Sequence, residues 1–147
     1  MTNNNEQHLV SIVSQYIKDM SLEVPGAPEI YTKISTQPQI GVELNIDVKK
    51  KENDMFEVVL NIRINADIEK EKLFIFELSY GSLNIIKLPE EQIEPVLFIE
   101  IPKMLFPFAR QIIASNLAEA NMPPLLLAPV DFSAIYRTKK DNLVKPN

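Results

Sequence analysis

Cysteine is absent from the 147 residues. That removes disulfides, a thiolate metal cage and a thiol nucleophile, and it suits a reducing compartment. Histidine occurs once, as His8 near the N-terminus. A Ser–His–Asp arrangement would have only that base, and a transition-metal site would need carboxylates, which show no ligand spacing. The three glycines, Gly26, Gly41 and Gly81, lie too far apart for a P-loop or a dinucleotide fingerprint, both of which need glycines within one turn to admit phosphate. Basic residues are outnumbered, with 15 Lys and Arg against 20 Asp and Glu and a net charge of -5. The basic footprint that nucleic-acid phosphate demands is missing, and an anionic membrane surface is an equally poor match. A basic protein partner suits the charge better. No apolar run is long enough to span a membrane, and Met1–Gln7 lacks the basic and apolar regions of a secretory signal. These absences predict a cytoplasmic protein that is not an enzyme, needs no cofactor or metal, binds no nucleic acid and does not insert in a membrane.

What is present is globular: 46% hydrophobic and 24% charged residues. The length fits a single domain over 1–147, with a frayed N-terminus over about 1–7 and a tail over about 138–147. Period-two alternation marks strands over Gln39–Lys49 and Phe56–Ile68. In the first, Glu43, Asn45 and Asp47 oppose the apolar row; in the second, Glu57, Val59, Asn61, Arg63, Asn65 and Asp67 do so. Such alternation predicts half-buried strands of an antiparallel sheet. Polar turns at 50–54 and 69–72 join these two strands and lead into a third over Leu73–Ile85. There Phe74, Phe76, Leu78 and Tyr80 share one face, Leu73, Ile75, Glu77 and Ser79 the other, and Gly81 marks a bulge or bend. Leu9–Val24 fits helical and strand spacing equally, and periodicity leaves both open. The C-terminal third predicts a short helix over Pro89–Ile101 and a stronger one from Leu105. The latter has Pro107 in its first turn, an apolar stripe through Leu105, Phe108, Ile112, Leu117 and Ala120, and an end at Asn121. A last short helix is expected over Asp131–Arg137. One sheet and a few helices present more apolar face than a chain of this size should expose, which predicts oligomerisation. Leu97, Phe98, Met104, Phe106, Phe108 and Met122 are the candidates for helix packing, a subunit interface or an adaptable binding surface.

Four blocks carry a resemblance to the SecB protein-export chaperones: residues 16–28 (Tyr16 to Pro28), 56–60 (Phe56 to Leu60), 105–110 (Leu105 to Arg110) and 127–132 (Leu127 to Phe132). Their order and spacing also agree, over 15–136. The resemblance implies an α+β fold, a four-stranded antiparallel sheet with helices packed on one face. It makes Leu9–Val24 the first strand and residues 25–38 a long crossover loop. It further implies a homotetramer, a dimer of dimers joined through the helical layer. Such a chaperone binds unfolded precursor proteins without ATP, keeps them translocation-competent and delivers them to the SecA ATPase.

Two sites follow from the resemblance. Asp19, Glu23, Ile75 and Glu77 match the SecA-contacting positions, where charge complementarity surrounds an apolar contact. Ile30, Tyr31, Ile34 and Phe106 fall near the client groove between the crossover loop and the helical layer. Two alternatives remain: a SecB-like chaperone dedicated to one partner, such as a toxin–antitoxin system, and an oligomeric scaffold without client binding.

Overall fold

Strict alternation of β-branched and polar residues cannot satisfy a helix, and three such segments, joined by the less regular segment that opens the chain, build one antiparallel sheet. The computed structural model describes residues 8–144, so the expectation for the N-terminus over about 1–7 lies outside the described residues. Strands β1 (Leu9–Glu23), β2 (Gln39–Lys50), β3 (Met55–Ile68) and β4 (Glu71–Lys87) lie in the order β1-β4-β3-β2. The two edges are therefore β1 and β2. The α+β architecture expected from the resemblance is the observed one, and the ambiguous first segment is a strand.

Tight turns make the hairpins possible. Glu69 and Lys70 both take positive φ, 48° and 71°, between the paired Ile68 and Glu71. That is the two-residue geometry whose twist matches the flanking strands. Asn53 and Asp54 take φ of 60° and 58° in the β2–β3 turn, closed by Lys51 N–H donating to the Met55 carbonyl at 2.7 Å.

One face of the sheet carries Val58, Leu60, Ile62, Ile64, Phe74, Phe76 and Leu78, all buried, under a helical layer. That layer comprises α1 (Glu90–Pro95), a single π-helical turn (Val96–Glu100) and α2 (Ile101–Glu119). α3 (Phe132–Val144) packs beside the π turn. Pro102, in the first turn of α2, needs no N–H partner there. The helix therefore begins four residues before the expected start at Leu105, and Pro107 lies in its interior. Its buried stripe is Ile101, Leu105, Ala109, Ile113 and Leu117, a run of four-residue steps. Phe108, expected in that stripe, is 53% exposed beside Met104 at 51%.

Three further expectations are corrected. Leu73 belongs to the core, fully buried, because the ladder passes from Asp67↔Lys72 to Ala66↔Phe74 and leaves Leu73 as the extra, inward-turned residue. Gly81 is regularly paired with Val59 and Tyr16. Its missing side chain makes room for the Tyr16 ring, since a Cβ there would stand 2.9 Å from Cε2 of that ring. Finally, the segment read as a tail from about residue 138 is helical through Val144. Among the described residues no helix is long and apolar enough to cross a membrane.

Candidate functional site

The sheet face away from the helices brings together side chains from all four strands. Three cross-strand rows run over it in register: Gly41–Asn65–Ile75–Glu23, Glu43–Arg63–Glu77–Ser21 and Asn45–Asn61–Ser79–Asp19. Asp19, Glu23, Ile75 and Glu77 therefore share one surface, spread over adjacent rows of β1 and β4. Asp19 and Glu23 are exposed, and Ile75 and Glu77 are half-buried. Alternation along each strand put these residues outward. The register that sets Glu23 opposite Ile75 depends on two irregularities in β1, between Ile12 and Ser14 and between Ile17 and Asp19, which no spacing rule reveals.

Beside this surface Glu57 forms a small network. Its carboxylate accepts from the Tyr16 hydroxyl at 2.5 Å and from Lys18 Nζ at 2.8 Å. Both donors reach from β1 across β4, and Gly81 leaves the space. Glu57 is held below the usual carboxylate range by the Lys18 hydrogen bond first and the Tyr16 one second, against the opposing effect of burial. Burial, and then the Glu57 carboxylate, pushes the Tyr16 hydroxyl up to about 12. The proton therefore stays on Tyr16 and the charge on Glu57. A depressed carboxyl stabilises the fold above its unfolded pKa, and that stability is lost as pH falls through its folded value. Glu57→Gln is expected to cost about 1.5–3 kcal/mol at pH 7, the range of hydrogen bonds to charged groups. The cost should shrink on acidification below the unfolded carboxyl pKa and vanish below the folded one. Urea titrations of both proteins at pH 7, 5 and 3 measure this; a gap independent of pH contradicts it.

Further along the face Asn61 donates to Asn45 Oδ1 at 2.8 Å and to Asp47 Oδ2 at 2.9 Å, while its own Oδ1 accepts from the Ser79 hydroxyl at 2.6 Å. Arg63 Nη1 stands 3.5 Å from Glu77 Oε1. A shallow hollow of about 270 Å³ is lined by Asp19 and Asp47, from opposite edges of the sheet, together with Lys18, Asn61 and Ser79. The charged residues of β2 and β3 were legible as outward, and only the register shows that they adjoin Glu77.

The residues expected near a client groove divide by burial. Ile30 and Phe106 are buried, at 2% and 6% exposure, and belong to the core. Phe106 meets Phe132 edge-to-face at 6.1 Å between centroids. Tyr31 and Ile34 are half-buried and pack against the same core. The Tyr31 hydroxyl donates to the Ala120 carbonyl at 2.7 Å, tying the crossover loop to the C-terminal end of α2. Leu97 and Met122 are buried, Phe98 is half-buried, and Met104 and Phe108 are open. Elsewhere, a cleft of about 310 Å³ lies between the β2 edge and α3, lined by Leu44, Ile46, Phe98, Ile135, Tyr136 and Lys139 among others. Phe98 and Tyr136 stack at 5.9 Å, and Lys139 Nζ sits 4.1 Å from the Phe98 centroid. This cleft is not legible from local patterning, because it depends on how α3 packs beside the β2 edge.

Comparison with known proteins converges on one family. The family model described as preprotein translocase subunit SecB matches residues 3–142. The protein-export protein SecB of Zymomonas mobilis is 44% identical over 138 residues, covering 92% of this chain and 84% of the relative. That of Paramagnetospirillum magneticum is 44% identical over 126 residues, covering 85% and 81%. Among solved structures, a SecB-like chaperone of Mycobacterium tuberculosis, in complex with a ChAD peptide from the HigA1 antitoxin, superposes with a TM-score of 0.68. It is 15% identical and the match covers 82% of this chain and 90% of that one, a likeness of fold. With the family model spanning nearly the whole sheet and helical layer, and with relatives this similar over most of their length, the chain belongs to the SecB family of protein-export chaperones.

Proposed function

We propose that this chain is an ATP-independent holdase that binds unfolded precursor proteins, keeps them translocation-competent and delivers them to SecA. The observation that carries this reading is the family match over residues 3–142. On it, the working unit is a homotetramer. Two exposed apolar surfaces support assembly from copies of the chain. The edge strand β1 presents Leu9, Val10, Val13, Ile17 and Met20, each at least 40% exposed, beside unpaired backbone groups that invite a second strand. The outward side of α2 presents Met104 and Phe108, one turn apart, which suits a helix-to-helix contact.

In this reading SecA docks on the outer sheet face at Asp19, Glu23, Ile75 and Glu77, where acids surround an apolar contact. Clients bind along the crossover loop and helical layer. Tyr31 and Ile34 offer accessible surface there, with Ile30 and Phe106 behind them, and the cleft beside Phe98 and Tyr136 adds an apolar recess. Extended chains of varied sequence suit such a surface, because stacked aromatic and aliphatic walls accept many side chains. The alternative of a chaperone dedicated to one partner, such as an antitoxin, rests on likeness of fold at 15% identity. The relatives at 44% identity are protein-export proteins.

The test is retention of a permanently unfolded protein, such as reduced and carboxymethylated lactalbumin, on size-exclusion chromatography with and without ATP. Co-elution with a tetramer, unchanged by nucleotide, is the expected result. Absence of any complex at micromolar concentration defeats the reading and leaves the dedicated-partner and scaffold alternatives.

A further inference from the structure

The outer face carries a cation of its own at its centre. Arg63 lies in the middle of a cross-strand row, with Glu43 on one side and Glu77 on the other. Its Nη1 is 3.5 Å from Glu77 Oε1, and the two side chains are 49% and 47% exposed. A pair this open contributes little to folding, so its consequence lies in the field that the face presents. Glu77 meets Ser21 and Arg63 across the sheet and has Ile75 and Ser79 beside it along β4. Arg63 is thus the one charged residue among these neighbours.

We propose that Arg63 is a specificity-determining residue of the acidic face: it occupies Glu77 in the free protein, and a docking partner must supply enough positive charge to displace it. This rests on the reading of the outer face as the docking surface for a basic partner. An isolated cation would merely exchange one exposed ion pair for another, with no net gain. A cluster of cations gains contacts to Asp19 and Glu23 as well, and so turns the exchange favourable. Arg63 therefore discriminates against weakly basic chains, a repulsive element working alongside the attractive ones.

The experiment titrates a fluorescein-labelled tetra-arginine peptide into the assembled protein at 50 mM and 500 mM NaCl, using wild type, Arg63→Gln, Glu77→Gln and the double variant. Arg63→Thr serves as a second replacement suited to a strand, and thermal unfolding verifies each fold. Freeing Glu77 from its ion pair is expected to tighten binding about three- to tenfold at low salt, and by less than about twofold at high salt, because the interaction is exposed and screened. In the Glu77→Gln background the gain from Arg63→Gln should largely disappear. If Glu77→Gln weakens the peptide but both Arg63 replacements leave it unchanged or weaker, the inference about Arg63 is overturned and the docking surface stands. If Glu77→Gln has no effect, the docking surface itself is wrong, and the inference falls with it.

Discussion

Replacing Met104 and Phe108 together by Glu is expected to split the assembly into smaller units without unfolding the protomer. These side chains are 51% and 53% exposed, so the protomer's own core loses little when they change. Their neighbours inward, Leu105 and Ala109, are fully buried and hold α2 on the sheet. In an assembly joined through the helical layer both residues would be covered. Burying a side chain of this size is worth about 1.5–3 kcal/mol, and each contact recurs in every copy. Introducing carboxylates reverses the sign, because an unpaired charge at such a contact must be desolvated. Sedimentation of wild type at micromolar concentration should give four chains, and the double variant should give two, with an unchanged thermal unfolding profile measured at the dimer's own concentration. Two chains are expected rather than one because the β1 edge, with Val13, Ile17 and Met20 open to solvent, offers a separate surface for pairing. A variant that keeps the mass of the wild type removes α2 from the interface. A wild type that sediments as one chain removes the assembly altogether.

The sheet was legible because alternation is a local property. Phe56 to Ile68 displays it almost without interruption, and the faces it predicts for Glu57, Asn61 and Arg63 are the faces observed. What was illegible depends on contacts between segments. Leu9–Val24 suits both periods because two irregularities, near Val13 and Lys18, break its alternation. A bulge moved Leu73 from the outer row into the core for the same reason. In the helical layer Pro107 carries the signature of a helix start, yet it lies inside α2. Pro95 ends α1, Pro102 opens α2, and between them the chain continues as a π turn, an arrangement in which the missing N–H groups fall where the helical pattern already changes. As for the sites, which side of its strand each of Asp19, Glu23, Ile75 and Glu77 occupies follows from period two. Their adjacency needs the β1–β4 register. Ile30 and Phe106 carried no local sign of burial, since an apolar residue in a groove and one in a core look alike in sequence.

Glu77→Lys is expected to abolish most of the affinity for SecA while leaving unfolded-client binding near the wild-type value. Glu77 is half-buried on the sheet face opposite the helical layer, whereas Tyr31 and Ile34 pack against the core cluster that the helices cover. A charge reversal on one surface therefore has no direct contact with the other. The effect on SecA has two parts. An attraction between opposite charges becomes a repulsion, which slows encounter and weakens the complex. In addition, the new Lys stands beside Arg63, where the wild-type Glu77 is 3.5 Å from the guanidinium, so two like charges now occupy the centre of the face. Losing one exposed pair costs about 0–1 kcal/mol of stability, too little to unfold the protein, and circular dichroism and sedimentation should be unchanged. Salt separates electrostatic from structural causes. Wild-type affinity should fall steeply between 50 and 500 mM NaCl, while the weak residual binding of the variant should be flat or rise slightly as repulsion is screened. Asp19→Lys, on the neighbouring row, should act in the same direction. Binding of SecA and of an unfolded client must be measured on the same preparation. If client binding is lost while SecA binding survives, the two surfaces have been assigned in the wrong order: the acidic sheet face holds clients, and the ATPase docks on the helical side.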